Sequence, residues 1–259
     1  MSVVALLCCG GILAAVQQTK AVSGSAYEDL YPDMYVNTGN EFSPEEGKVV
    51  YYTFDDGPSK NTIAILDTLK EKGVKATFFV TGQEVSGVDS DAILKRIVDE
   101  GHSIGMHTYS HVYQEIYSSV ENYLADFQKI RERIIRVTGV EPKIFRFPGG
   151  SVKNSFASPS VQKAIRIEMR RRGYIYYDWN LVSGDDKSYM TDTDTLIRNI
   201  VNGAKGKDKV VILCHDDSMR VSTAEAVGPV IDQLTAQGYR FEKLTESIEP
   251  VQFQNNDET

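Results

Sequence analysis

The 259-residue chain is 41% hydrophobic and 25% charged, enough for one large domain with a real core or for two small ones. With 36 acidic against 28 basic residues the formal charge is -8, so there is no net positive field to gather phosphates, and nucleic acid is excluded as the main partner. A neutral or mixed-charge substrate fits that balance.

Residues 1–16, MSVVALLCCGGILAAV, form an uncharged apolar stretch of the length of a signal-peptide core, short for a bilayer span. A cleaved signal and a retained membrane anchor are both open here, with a buried N-terminal helix a third reading. Either of the first two places the protein outside the cell or on its surface, with membrane contact only through this segment. Cys8 and Cys9 fall in it, which leaves Cys214 as the lone thiol of the body of the chain and forbids a disulfide there. From 17 to 47 the chain is polar, rich in Gly, Ser, Pro and acidic residues without periodicity, and reads as a stalk. The folded unit is expected over 48–247, and 248–259 as a flexible tail.

Seven strand candidates follow in order: VVYYTFD, ATFFVTG, HSIGMH, KIFRFPG, YIYYDW, KVVILCHD and YRFEKL. Between the first two, SKNTIAILDTLKEKG sets Ile63, Leu66 and Leu69 on one helical face and closes on Gly73. A longer helix is expected over about 117–137, with Val120, Leu124, Phe127, Ile130, Ile134 and Val137 as its stripe. Others are expected near 90–100, 159–172, 192–203 and 222–237. The basic run Arg170 to Arg172 falls in a last helical turn and reads as a solvated end that suits the helix dipole.

Such alternation implies a parallel sheet, either closed as a barrel or open and doubly wound, with ligands at the carboxyl ends of the strands. Asp55 and Asp56 end the first candidate strand, His107 the third, Arg146 the fourth, Asp178 the fifth and His215 the sixth. Two adjacent carboxylates at the end of a buried strand repel each other and call for a cation. His107 and His111, four apart in HTYSH, are a weak metal signal alone; with one carboxylate from the first strand they make a two-His, one-Asp set with a coordination position left free. Taken singly, each residue has a plainer reading: FDDG as a solvated turn, Arg146 as a structural ion-pair partner, Asp178 as a loop start, His215 as a core histidine. His102, outside the group, is expected to be structural.

Together, TFDDG, HTYSH, RFPGG, DW and LCH, in this order and each at a strand end, resemble the polysaccharide deacetylase family that shares the chitooligosaccharide deacetylase homology domain, carbohydrate esterase family 4. The resemblance spans roughly residues 48–245. It implies an α/β fold, a distorted (β/α)7 barrel forming a single catalytic domain. By motif it implies that Asp56, His107 and His111 bind a divalent metal, zinc first and cobalt, nickel or manganese otherwise. Asp55 would be the general base and His215 the general acid. Arg146 would orient the base, Asp178 would tune the acid histidine, and Trp179 and Leu213 would wall the acetyl pocket with an oxyanion-binding N–H near Gly149. The chain departs from the family's common pattern at Met106, where many members carry Asn, and at RFPGGS, in place of an Arg-Pro-Pro-Tyr type sequence.

The implied activity is hydrolysis of N-acetyl groups on N-acetylglucosamine in an acetylated wall glycan, peptidoglycan first. Chitin oligomers and acetylated xylan, the latter by ester cleavage, are the nearest alternatives. A catalytically silent glycan-binding wall protein and a cytosolic hydrolase of small amides are the rivals from other classes.

Overall fold

The computed structural model describes residues 26–39, 41–83, 85–152, 155–188 and 191–253. The apolar stretch at 1–16, with Cys8 and Cys9 and the export signal read in it, lies outside the described residues. Among the described residues no helix is long and apolar enough to cross a membrane.

Strand and helix alternate as β1 (Val49–Asp55), α1 (Lys60–Lys72), β2 (Thr77–Val80), α2 (Ser90–Asp99), β3 (Ser103–Met106), α3 (Tyr113–Ile116), α4 (Val120–Thr138), β4 (Ile144–Phe145), α5 (Pro159–Arg171), β5 (Ile175–Tyr176), β6 (Leu181–Val182), α6 (Thr193–Ala204), β7 (Lys209–His215), α7 (Val221–Ala236) and β8 (Arg240–Glu242). All pairings are parallel, in the order β5-β4-β3-β2-β1-β7-β6, with β8 also on β1. β7 takes one edge of β1 from Val49 to Asp55, so β8 and β2 share the other, β8 along 49–51 and β2 along 53–55. The expected α/β fold with a distorted barrel is present as a curled half-barrel: among the described residues β5 and β6 do not pair, and the sheet has eight strands where seven were expected. The additional strand is β6, two residues long like β4 and β5 but, unlike them, set between polar Asn180 and Ser183 with no longer apolar or aromatic run to mark it.

Every residue of β1 is buried, because both faces of a parallel sheet are covered. Alternate residues serve different clusters: Val50, Tyr52 and Phe54 join the large core beneath the helices, while Val49 and Tyr51 pack inward with Phe79, Ile144, Tyr177, Val211 and Leu244. The inward row continues through Thr53 to Asp55. Along one strand face the surroundings thus pass from apolar at the base to polar at the carboxyl end.

In α1, Ser59 accepts from the Asn61 N–H while its own N–H donates to Thr62 Oγ1, and Gly73 closes the helix at φ 66°. The buried face runs through Thr62, Ile65, Leu66 and Leu69, which fit the helical repeat; Ile63, expected inside, is 37% exposed. The long helix α4 starts at Val120, capped by Ser119, and buries the expected stripe except Val137, which is partly buried.

Two expectations at the edges of the domain are corrected. Residues 26–39, read as part of a polar stalk, pack on the domain: Met34 is fully buried in the main core. The anchor is Arg172, read as a solvated helix end but only 1% exposed. Its guanidinium pairs with buried Glu168 at 2.7 Å and donates to the carbonyls of Tyr27, Leu30, Tyr31 and Met34, and its own carbonyl accepts from the Val36 N–H. Within the segment the Leu30 and Met34 N–H groups reach only Tyr27 O and Tyr31 O, and one planar cation adds a donor to these and supplies the carbonyls of Leu30 and Met34. A Cβ at Gly173 would fall 2.0 Å from Val36 O, so the segment lies directly on that backbone. Removing Arg172 takes the guanidinium donors away from the carbonyls of Tyr27, Leu30, Tyr31 and Met34, while Glu168 keeps its two hydrogen bonds from Arg171; Arg172→Ala is expected to cost at least about 1–3 kcal/mol, read from denaturant midpoints, and to open residues 26–39 to limited proteolysis. At the other end, Ile248 and Val251 pack on the inner cluster and the Phe253 N–H donates to Asp178, so the ordered domain runs to at least 253 rather than 247.

Candidate active site

The parallel register delivers the chemistry to one place. Asp55 at the end of β1 lies level with His215 at the end of β7 and with Phe79 in β2. Beyond β3, the His107 N–H donates to Val80 O, and the Arg146 N–H donates to Met106 O. Asp55, Asp56, His107, His111, Gly149, Trp179, Leu213 and His215 line one pocket of about 260 Å³, together with Tyr113 and Asp186.

Asp56, His107 and His111 each offer a ligand atom, all within 4.8 Å of one another. His111 Nε2 lies 3.2 Å and His107 Nε2 3.5 Å from Asp56 Oδ1. His107 Nδ1 is 2.9 Å from the Arg146 carbonyl, which can only accept, so Nδ1 carries the proton and Nε2 turns its lone pair toward the carboxylate. Burial, joined by the fields of His111 and Arg146, holds His107 well below the usual histidine range and hence neutral. Asp56 Oδ1 and His111 Nε2 are buried without a hydrogen-bond partner. Electron pairs facing one another in a buried cluster repel unless a cation stands between them, so the donor set fits a divalent metal with N and O ligands.

The backbone is bent to make this cluster. Asp56, Thr108 and His111 have φ of 75°, 69° and 55°, conformations that cost on the order of 1–3 kcal/mol each for side-chain-bearing residues. Asp126 of α4 holds the histidine loop, its carboxylate accepting from the N–H groups of Tyr109 and Ser110. Gly57 must be glycine, since a Cβ would sit 2.4 Å from the Asp216 carboxylate.

Arg146 is fully buried below the pocket. Its Nη1 donates to Asp55 Oδ1 at 2.8 Å and to Thr53 Oγ1 at 2.6 Å, its Nε to Tyr177 O, and its Nη2 to Asp178 O, while the plane lies 4.3 Å from the Phe79 ring centroid. Asp55 is thereby fixed by one oxygen. Burial pushes its pKa up to about 6, against the opposing pull of Arg146 and His215.

Asp178 does not face His215, and the expectation that it tunes that histidine is corrected. Its carboxylate accepts from the Ser151 N–H and hydroxyl and from the Phe253 N–H, tying the loop after β4 to the C-terminal segment. The partner of His215 is Asp185: Oδ1 lies 2.9 Å from His215 Nδ1, and Oδ2 accepts from the His215 N–H and the Thr223 hydroxyl. Topology decides between the two. β5, which leads to Asp178, pairs with β4 at one end of the sheet, whereas β6, which leads to Asp185, pairs with β7. Burial alone would lower the His215 pKa; the Asp185 hydrogen bond and charge outweigh it and raise it to about 9. His102, as expected, is structural, its Nδ1 accepting from the Ala76 N–H. Asp185 escaped the sequence reading because β6 did, and Asp126, Tyr113 and Asp186 carry no motif by which they could be found.

Residues 43–167 match the family model described as polysaccharide deacetylase. The chain is 32% identical over 244 residues to a peptidoglycan-N-acetylglucosamine deacetylase of Bacillus cereus, covering 92% of this chain and 85% of that protein. The crystal structure of the catalytic domain of a peptidoglycan N-acetylglucosamine deacetylase from Eubacterium rectale superposes with a TM-score of 0.79 at 32% identity, covering 85% of this chain and 98% of that one. A polysaccharide deacetylase from Bacillus cereus superposes at 0.71, also 32% identical, over 81% of this chain and 98% of that one.

Proposed function

Because the chain belongs to the polysaccharide deacetylase family, we propose that it is a metal-dependent hydrolase removing N-acetyl groups from N-acetylglucosamine residues of peptidoglycan. The observation that carries the reading is the joint presence, in one pocket, of a three-residue metal cluster, a buried carboxylate and a buried imidazole backed by its own aspartate. Glycan binding alone needs neither a base nor an acid. The choice of polymer is supported by the relatives named for that substrate and by the neutral, non-phosphate partner that the charge of -8 favours.

Asp56, His107 and His111 would hold the metal, zinc being the ion best suited to two imidazoles and a carboxylate with a position left open. When bound, such a cation polarises the acetyl carbonyl and brings the pKa of a water down to about 7. Asp55, steered by Arg146, takes a proton as water attacks the carbonyl carbon. An amide nitrogen leaves poorly unless protonated, and His215, kept as imidazolium by Asp185, donates to it as the C–N bond breaks. Trp179 and Leu213 enclose the acetyl methyl, and an N–H near Gly149 stabilises the oxyanion. Because the substrate lies outside the membrane, the apolar stretch at 1–16 is assigned to export, cleaved or retained as an anchor.

The test is mass spectrometry of digested peptidoglycan after incubation with the protein, with and without a chelator. Loss of acetyl groups is expected only without chelator and is expected to return on adding zinc; release from acetylated xylan but not from peptidoglycan overturns the substrate. His107→Ala and His111→Ala are each expected to lower bound metal, counted per chain by plasma mass spectrometry, together with acetate release.

A further inference from the structure

One wall of the pocket continues outward as a row of aromatic rings. Tyr113, the first residue of α3, lines the pocket and stands edge-on to His111, with centroids 5.2 Å apart at 88°. Phe156 packs against Tyr113 in turn, 5.1 Å away at 64°, and is 51% exposed. Val112, the neighbour of His111 and Tyr113 in sequence, is 40% exposed. Single exposed apolar residues are ordinary. This pair differs in being joined ring by ring to a metal ligand. Its base is firm, since Tyr117 is buried at the end of α3, donates to Pro148 O and meets the Tyr113 ring at 6.0 Å.

We propose that the Tyr113–Phe156 pair is a subsite for a pyranose ring of the glycan adjacent to the one whose acetamide enters the pocket. This rests on the deacetylase reading and adds to it where the polymer lies. A pocket of about 260 Å³ has room for about one sugar residue with its acetamide, so the neighbouring sugars of a polymer must lie on the rim. A pyranose presents a face of C–H groups, which suits the electron-rich face of an aromatic ring and gains from removing both from water. The ligand on this side is neutral: the exposed side chains of the row, Val112 and Phe156, offer no charge to an ionic partner, and the carboxylates of the pocket disfavour an anion.

The experiment is a ladder of dissociation constants for N-acetylglucosamine oligomers of two to five residues, measured by calorimetry on metal-free Asp55→Asn protein, in which the chelated site and the lost base together hold turnover negligible over the titration. The parent is expected to show a step of roughly tenfold in affinity at the length that first reaches the rings. Phe156→Ala is expected to remove the step while leaving the shorter oligomers in place on the ladder, and Phe156→Trp to keep it. A ladder without a step, a Phe156→Ala ladder with the same step, or a uniform loss at every length overturns the subsite. Acetate release by the unsubstituted protein, followed in parallel, decides the deacetylase reading separately: its absence defeats that reading while the ladder still reports on the rings.

Discussion

Asp55→Asn is expected to lower kcat for acetate release by about 10²–10⁴ while bound metal stays at the level of the unsubstituted protein. The substitution is close to isosteric, and an amide oxygen can keep the 2.8 Å hydrogen bond from Arg146 Nη1. What it cannot do is take up a proton. The carboxylate must be ionised to act, so activity falls as the pH drops through its pKa, which burial pushes up to about 6 before any cation is added. A cation held by Asp56 favours the charged form and moves that limb lower. In Asp55→Asn the residual activity should have lost this acid limb. Acetate release equal to the unsubstituted protein would remove Asp55 from the chemistry; loss of metal instead of turnover would make it a ligand.

Much of the fold could be read because it rests on local patterns. The apolar row of β1 ends on charge, Gly73 and Gly139 close their helices in the left-handed region, and six helices fall within a few residues of where their periodicity puts them. The strand ends nearest the centre of the sheet were legible for the same reason: Asp55, Asp56, His107 and His215 are polar residues at or just past buried strands that would not otherwise carry them, and His111, in the loop after β3, was marked by its spacing from His107. What stayed hidden depends on distant segments. Arg172 looks like any basic helix end until residues 26–39 fold over it, and no pattern in either segment announces the other. Asp178 and Asp185 are both acidic residues just past short strands in the same stretch of chain. Which of them meets His215 is settled only by the pairing of β6 with β7, through Leu181 against Ile212 and Val182 against Leu213.

That difference has a measurable consequence in the alkaline limb of the pH profile. His215 must be protonated to donate, so activity falls as the pH rises through its pKa, which Asp185 raises to about 9 against the effect of burial. Both Asp185 oxygens accept: Oδ1 faces the ring nitrogen, and Oδ2 takes the His215 N–H and the Thr223 hydroxyl. In Asp185→Asn the single amide oxygen goes to the side with two donors, which turns the NH₂ toward His215 Nδ1. A donor there favours the neutral ring, and burial is then unopposed. The alkaline limb is expected to fall to roughly 6.5 or lower, a loss of roughly thirtyfold at pH 8 that shrinks toward pH 6. Asp178→Asn is expected to weaken the tie between Ser151 and Phe253, seen as a lower melting temperature, and to leave the alkaline limb near its original place. The reverse pattern, with the limb displaced by Asp178→Asn and unmoved by Asp185→Asn, would return the tuning of the acid to Asp178 and take it from the β6 side of the sheet.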